Sequence, residues 1–199
     1  HLCFLRNGAC ELELIERPGQ VRPDGHFDHL CLRVDDIAAD VRAKLGGGTV
    51  GQAALSVLYA LGARVTVMDI NIGLLRTLKR QYQERVDTLL CTKENIAALL
   101  PQTDMVLNCV KWPKGCNDFL IDRPMLKLMG KGSVIVDISN DDNGAIESFH
   151  ETTHENPRYI EEGIVHYCVS NIPGAIANST SIAYAASVIG HFRSILNNG

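Results

Sequence analysis

The stretch that decides the fold is Gly46–Gly51 (GGGTVG), which is followed by an apolar helical run and by Val65–Asp69 (VTVMD). Glycines occupy its first, third and sixth positions, and Asp69 lies 18 residues beyond Gly51. This spacing is typical of a dinucleotide-binding turn between a strand and a helix, in which the glycines permit close approach of the backbone to a pyrophosphate and the acid meets a ribose hydroxyl. The pyrophosphate would lie at the helix N-terminus, where N–H groups and the helix dipole favour an anion. We therefore predict a nucleotide site here.

Downstream of this turn, apolar segments of strand period alternate with segments of helical period. Strands are predicted at 64–68, 86–91, 104–110, 132–137 and 164–169, and helices at 50–61, 74–83, 94–100, 123–129 and 179–196. Such alternation predicts βαβ units and a sheet covered on both faces. Residues 46–199 are therefore predicted to form an α/β domain, a doubly wound, mostly parallel Rossmann-type sheet. In such a sheet the strand before the glycine turn is the first and central one of the order 3-2-1-4-5-6.

Residues 1–45 are predicted to form a separate, small α+β fragment. Strands at 2–5 and 10–15 would be joined by a hairpin turn at Asn7-Gly8, and a third strand is expected at 29–34. The polar stretch 37–45 is predicted to be a helix. The strand that should precede Gly46 is therefore either this polar stretch forced into that place or absent from the chain, and we favour its absence. On this interpretation the chain joins two incomplete family fragments at residue 45 or 46, with further residues missing upstream.

Composition narrows the class of protein. The chain has 199 residues, 46% of them hydrophobic and 21% charged, which is ordinary for a globular protein with a sizeable core. A net charge of −4 argues against nucleic acid or an anionic membrane as the partner. The longest apolar runs are too short to predict a membrane span. Seven cysteines without a C-x-x-C pair favour reduced thiols and a cytoplasmic location.

The first segment resembles the middle of a vicinal-oxygen-chelate (glyoxalase-type) domain, through Leu12-Glu13-Leu14, Phe27–Leu30 and Val34–Ile37. The resemblance implies that Glu13 and His29 are ligands of a divalent metal, and hence a metal-dependent lyase or isomerase as an alternative function. A complete site of that family needs two further ligands from parts that this segment lacks. The competing interpretation is a solvated Glu13 and a His29 at a strand end.

The second segment resembles the nucleotide-binding half of alanine dehydrogenase and the corresponding part of proton-translocating transhydrogenase. The resemblance rests on the stretches Gly46–Gly51, Val67–Asn71, Gly132–Asp137, Thr152–Pro157 and Val165–Gly174. The resemblance implies NAD on the glycine turn, with Asp69 on the adenosine ribose, where a carboxylate disfavours the 2′-phosphate of NADP.

The same resemblance implies roles for further residues. Cys109 and Val110 would line the nicotinamide region, Asn171 would contact the nicotinamide, and Asp141 would be a catalytic acid beside nicotinamide and substrate. Within Asn140–Gly144, Asp141 fits a turn equally well, and Asn171 before Ile172-Pro173 has the same ambiguity. The remaining candidate cofactor-binding residues are Gly46, Gly48, Thr49, Val50, Gly51, Ile70 and Cys91.

The activity implied by the resemblance is oxidative deamination of a small L-amino acid. Hydride would pass from the amino-acid Cα to nicotinamide C4, and the imine would be hydrolysed to a 2-oxo acid. In the family a Lys and a His of a second domain bind and activate the substrate, and nothing in residues 1–45 resembles that domain. The loops Val110–Lys114 and Ser139–Gly144 also depart from the family pattern. A non-catalytic NAD-binding module is therefore a further alternative, and the family resemblance suggests a homo-oligomer.

His150-Glu-Thr-Thr-His154 matches the H-E-x-x-H pattern of zinc proteases. That chemistry requires a helix with both histidines on one face. Two β-branched threonines and the nearby Pro157 favour a loop instead. We therefore predict a surface connection and no zinc site at this position.

Overall fold

A computed structural model of the chain describes residues 3–7, 10–14, 30–34, 42–83, 86–113, 116, 118–140 and 144–198. Side chains are described within residues 46–197 of these ranges.

The first segment contains a three-stranded antiparallel sheet. Its strands are β1 (Cys3–Asn7), β2 (Cys10–Leu14) and β3 (Leu30–Val34), in the order β1-β2-β3. Asn7 pairs with Cys10 and Cys3 with Leu14, which is the register of a tight hairpin. The predicted hairpin strands and the third strand are confirmed, while Gly8 of the predicted turn lies outside the described residues.

The second sheet has seven strands in the order β6-β5-β4-β7-β8-β10-β9. Their bounds are β4 (Arg42–Gly46), β5 (Arg64–Asp69), β6 (Val86–Leu90), β7 (Met105–Asn108), β8 (Val134–Asp137), β9 (Arg158–Glu161) and β10 (Ile164–Tyr167). Six strands are parallel, and numbered along the chain they have the order 3-2-1-4-5-6 of a dinucleotide-binding sheet. The seventh strand, β9, pairs antiparallel with β10 at the edge of the sheet and was not predicted from the sequence.

The prediction of a helix through to residue 45 is wrong over 42–45. That stretch forms β4, the middle strand, which pairs in parallel with β5 on one side and with β7 on the other. Main-chain hydrogen bonds to two neighbouring strands form whatever the side chain is. The position of this stretch in the middle of the sheet therefore outweighs the polar pattern of Arg42 and Lys44. The expectation that no strand enters Gly46 is therefore also wrong. Residues 35–41 lie outside the described residues.

Among the described residues, five helices connect these strands or follow them: α1 (Thr49–Ala60), α2 (Ile72–Tyr82), α3 (Lys93–Leu99), α4 (Arg123–Leu126) and α5 (Ala177–Asn198). Short polar side chains begin three of them. Asn71, Thr92 and Asp122 each accept a hydrogen bond from the main-chain N–H three residues further on, which satisfies a donor of the first turn. None of the helices in the described part of the chain is long and apolar enough to cross a bilayer.

Two apolar clusters lie on opposite faces of the large sheet. One packs α1 and α2 on the sheet through Leu55, Leu58, Val65, Val67, Leu75, Leu78 and Val86. The other lies under α3 and α4 and includes Ile96, Leu100, Val106, Leu126, Ile135, Ile146 and Ile164. The sheet is thus doubly covered, as a mostly parallel sheet requires. Neither cluster contains a residue of α5.

Candidate nucleotide-binding site

The glycine turn joins the middle strand to the first helix of the large sheet. Gly46 ends β4, Gly48 is the residue before α1, and Gly51 is buried in the first turn of that helix. A Cβ on Gly51 would overlap the main-chain carbonyl of Gly46, so the glycine permits α1 to pack directly on β4. A Cβ on Gly48 would meet no atom within 4 Å, so this side of the turn faces open space.

Asp69, the last residue of β5, is held against the same turn. Its Oδ2 accepts a hydrogen bond from the Gly47 N–H at 3.1 Å, and its Oδ1 accepts one from the Asn71 N–H at 2.8 Å. The carboxylate is half-buried. The turn and the acid are therefore adjacent, as their spacing in the sequence predicts.

The N-terminus of α1 is open to an anion. No side chain caps it, and its first turn contains no acidic residue. Thr49 and Val50 lie in this first turn and are exposed, and Val50 is 49% exposed. The unpaired N–H groups and the positive end of the helix dipole therefore point toward the open side of Gly48.

The loop after β7 closes the other side of the turn. A Cβ on Gly46 would lie 3.3 Å from Cγ2 of Val110 and 3.7 Å from the carbonyl carbon of Cys109. Beside these residues an apolar cavity opens at the carboxyl edge of the sheet, lined in part by Gly46, Met68, Cys91, Asn108, Val110 and Ile121. The carboxyl edge is where open α/β sheets bind their ligands.

Three of these lining residues, Met68, Asn108 and Ile121, were not predicted from the sequence. Met68 and Asn108 each stand one residue before a predicted site residue. Asn108 is the last residue of β7, but the predicted strand continued to residue 110, so the strand end gave no signal for Asn108 in the sequence.

The two thiols of the cavity region are neutral. Burial raises the pKa of Cys109 to about 11, and the charge of Asp137 adds to the effect. Burial also raises the pKa of Cys91, with a further contribution from Asp69. Because a thiolate is the reactive form of cysteine, neither side chain is suited to act as a nucleophile.

A buried polar pair fixes the loops that follow β7 and β8. Asn108 Nδ2 donates to Asp137 Oδ2 at 2.9 Å, and Asn108 Oδ1 accepts from the Val110 N–H at 3.2 Å. Asp137 Oδ1 in turn accepts from the Asn140 N–H at 3.0 Å, and Ser139 Oγ donates to the Val110 carbonyl at 2.9 Å. The position of Val110 beside the glycine turn is therefore set from β8.

Not every predicted residue joins this group. Ile70 follows Asp69 but is 80% exposed. Asn171 is exposed and begins a 3-10 helix, where its Oδ1 accepts from the Gly174 N–H at 3.2 Å. Asp141 lies outside the described residues, so its role as an acid remains a prediction.

The metal prediction concerns residues that the structure does not describe. His29 and the side chain of Glu13 lie outside the described residues, and no group of three His, Cys, Asp or Glu side chains suited to a metal occurs within the described ones. His150–His154 is a loop, as predicted. His150 stacks on the ring of Tyr159 at 3.4 Å between centroids, and His154 Nε2 hydrogen-bonds to the Asn171 carbonyl at 2.7 Å.

A parallel sheet of order 3-2-1-4-5-6, with a glycine turn opening its first helix and an acid ending its second strand, defines a Rossmann-type nucleotide-binding domain. Residues 34–199 match the family model described as "Alanine dehydrogenase/PNT, C-terminal domain". The chain belongs to this family, and the resemblance proposed from the sequence of its second segment is confirmed.

Individual relatives support the assignment. The chain is 40% identical over 139 residues to an alanine dehydrogenase of Halomonas elongata, which covers 70% of this chain and 38% of the relative. It is 34% identical over 179 residues to the alanine dehydrogenase of Bacillus subtilis, covering 89% of this chain and 47% of the relative. A solved L-alanine dehydrogenase superposes with a TM-score of 0.72 at 32% identity, over 80% of this chain and 44% of that one. The chain thus spans less than half the length of these relatives.

A more distant structure agrees in fold. The transhydrogenase from Sinorhizobium meliloti superposes with a TM-score of 0.64 at 23% identity, over 79% of this chain. This likeness concerns the fold alone.

Proposed function

We propose that this chain is the NAD-binding part of an NAD-dependent amino-acid dehydrogenase, which oxidatively deaminates a small L-amino acid to a 2-oxo acid. The observation that carries the proposal is the pairing of Asp69 with the glycine turn, since it sets a ribose acceptor beside an open helix N-terminus. The alanine dehydrogenases among the relatives supply the reaction class.

The described residues fit NAD. Gly48 leaves space on the open side of the turn, and the N–H groups of the first turn of α1 are donors suited to a pyrophosphate. Asp69 Oδ1 and Oδ2 are acceptors suited to the two hydroxyls of the adenosine ribose. A carboxylate at this position would repel a 2′-phosphate, so we propose a preference for NADH over NADPH.

The chain's own residues would bind and orient the cofactor. Cys109 and Val110 present neutral, apolar atoms next to Gly46, and the Asn108–Asp137 pair holds their loop in place. When bound, NAD would supply the hydride acceptor. We place Asp141 as the acid near the reacting atoms and Asn171 as a contact to the nicotinamide, on the strength of the family resemblance.

Substrate binding requires more than the described residues offer. A cation for the amino-acid carboxylate and an acid/base for the imine steps are needed, and in the resembling family a second domain provides them. The small amino acid as substrate, a homo-oligomeric assembly and a cytoplasmic location are accordingly parts of the proposal that rest on the relatives and on the sequence.

The first experiment measures NADH binding to the full chain by calorimetry. Asp69→Ala should weaken NADH binding by about tenfold or more, because it removes a charged hydrogen-bond acceptor. Asp87→Ala is the matched control, since Asp87 is an exposed acid that pairs with Lys79 and does not contact the turn. An unchanged NADH affinity in Asp69→Ala would contradict the ribose role.

The second experiment separates an enzyme from a binding module. The chain is mixed with NAD and a panel of small L-amino acids, and NADH formation is followed by absorbance. Tight NADH binding without amino-acid-dependent NADH formation would identify a non-catalytic module or a part that needs its second domain.

The metal alternative predicts bound divalent metal that disappears in the Glu13→Ala/His29→Ala double variant.

A further inference from the structure

The three carbonyl groups of the glycine turn all point toward α1. The Gly46 carbonyl faces the helix, because a Cβ on Gly51 would overlap it. The Gly48 carbonyl accepts a hydrogen bond from the main-chain N–H of Gln52 at 2.8 Å. The Gly47 carbonyl, which lies between them in the chain, accepts a hydrogen bond from Gln52 Nε2 at 2.9 Å. A side chain of α1 therefore holds the middle one of the three carbonyls.

The orientation of these carbonyls fixes the direction of the N–H groups that follow them. In a trans peptide the C=O and the N–H point in opposite directions, so the N–H groups of residues 47–49 point away from the body of α1. The Gly47 N–H meets Asp69 Oδ2 at 3.1 Å. Gly48 and Thr49 are exposed, so their N–H groups are directed to the open side of the turn. Successive N–H groups on one side of a turn are suited to bind an anion.

The peptide between Gly47 and Gly48 is the one that a side-chain contact has to restrain. Both residues lack a Cβ, so the two dihedral angles that rotate this peptide are weakly restricted. The preceding peptide also lies between two glycines, but Asp69 holds its N–H. A rotated Gly47–Gly48 peptide would present the Gly47 carbonyl to the open side, where it would repel a bound anion. The half-buried Gln52 opposes this rotation, since its amide is bonded to that carbonyl.

We propose that Gln52 is a positioning residue for the pyrophosphate of the dinucleotide and acts through the Gly47 carbonyl. By holding this carbonyl against α1, it keeps the Gly48 N–H directed at the phosphate. The inference rests on the proposed function, because it names a residue that prepares the same site. Asp69 and Gln52 act on different peptides of the turn, so Asp69 serves the ribose and Gln52 serves the phosphates.

Binding of three ligands to the full chain tests this division. Calorimetry is used for NADH and ADP, and competition with NADH is used for adenosine, which has no phosphate. Gln52→Met keeps the length of the side chain but removes its N–H donor. It should weaken the binding of NADH and ADP by about three- to tenfold, the effect of one hydrogen bond, and leave adenosine binding unchanged. Ser56→Met is the matched control, because it places the same side chain at an exposed position of α1 and should bind all three ligands like the wild type.

Stability measurements separate positioning from folding. Methionine is a good helix former, so Gln52→Met should keep a urea midpoint close to that of the wild type. Gln52→Leu removes the same donor with a branched side chain and should give the same pattern of affinities. Wild-type NADH affinity in both variants, or an equal loss for NADH and adenosine, would overturn the role of Gln52 and leave the proposed function standing. A wild-type chain that binds neither NADH nor ADP would overturn the proposed function and, with it, this role.

Discussion

The two halves of the seven-stranded sheet bury different kinds of side chain. In the first half, from Gly46 to Gln102, the buried side chains of the described residues are apolar. In the second half, polar side chains are buried as well: Thr103, Asn108, Ser133, Asp137, Ser148, Thr152 and His166. The halves share one topology but are stabilised differently.

The first half depends on close packing around the glycine turn. Gly51 allows α1 to approach β4, and Leu55 and Leu58 of the same helix then reach the apolar cluster on the sheet. Packing of this kind is sensitive to added volume and tolerant of exchanges between apolar residues of similar size.

The second half depends on hydrogen bonds between buried groups. Besides the Asn108–Asp137 pair, the buried His166 is held on both ring nitrogens: Nδ1 lies 3.1 Å from the Ile164 carbonyl and Nε2 lies 2.8 Å from Ser148 Oγ. Because a carbonyl only accepts, Nδ1 carries the proton and Nε2 accepts from the Ser148 hydroxyl. A buried hydrogen bond adds little to the free energy of unfolding, but the loss of one of its partners lowers that free energy strongly. The stability of this half therefore depends on which polar groups are present more than on side-chain volume.

The largest effect is expected for Gly51→Ala. The new Cβ would overlap the Gly46 carbonyl, which belongs to the middle strand and cannot shift without disturbing two neighbouring strands. We expect a loss of about 3 kcal/mol or more in the free energy of unfolding, or failure to fold, measured by urea denaturation.

Gly48→Ala is the control for this change. A Cβ on Gly48 meets no atom within 4 Å, and the φ of −65° suits any residue, so stability should change by less than about 1 kcal/mol. Equal destabilisation by the two variants would contradict the distinction between the packed and the open side of the turn.

An intermediate effect is expected for Asn108→Leu in the second half. The variant keeps the size of the side chain but removes one donor from the buried Asp137 carboxylate, at an expected cost of about 2–4 kcal/mol in the free energy of unfolding. Asp137→Leu alone should cost a similar amount, because it leaves the Asn108 amide without that acceptor.

The double variant Asn108→Leu/Asp137→Leu should be clearly more stable than the sum of the two single losses predicts, since neither group is then left unpaired. Additive losses in urea denaturation would show that the pair does not act as a unit. NADH affinity measured on the same variants reports whether the position of the loop at Val110 depends on the Asn108–Asp137 pair.

The contrast also explains what the sequence could predict. Apolar periodicity and glycine spacing are clear in the first half, so the strands β5 and β6, the glycine turn and the position of Asp69 could be predicted from the residues. β4 did not, because Arg42 and Lys44 obscure a strand that main-chain pairing holds in the middle of the sheet.

In the second half the partners are far apart in the chain. Asn108 and Asp137 are 29 residues apart, and Ser148 and His166 are 18 apart. No local sequence pattern predicts such pairs, since an Asn or Asp after an apolar strand fits a turn equally well. The exposure of α5 was likewise not predictable, because its apolar periodicity is the same as that of a buried helix.

The smallest effect, and the one that most sharpens the comparison, is the pH dependence of stability due to His166. Burial lowers its pKa below the ordinary 6.5, so near and below that pH the unfolded chain binds more protons than the folded chain. The stabilising contribution of the neutral ring is therefore complete above 6.5 and is lost as pH falls toward the lower pKa of the folded state.

His166→Gln, which retains a group able to hydrogen-bond Ser148, should flatten this dependence between about pH 5 and about pH 7 in urea denaturation. His191→Gln in the exposed α5 should leave it unchanged. If the free energy of unfolding varied with pH in the same way for the wild type and His166→Gln, the histidine would not be the source of the pH dependence. The first half buries no titratable side chain among its described residues, so its core would not be the source of a pH dependence that persists in His166→Gln.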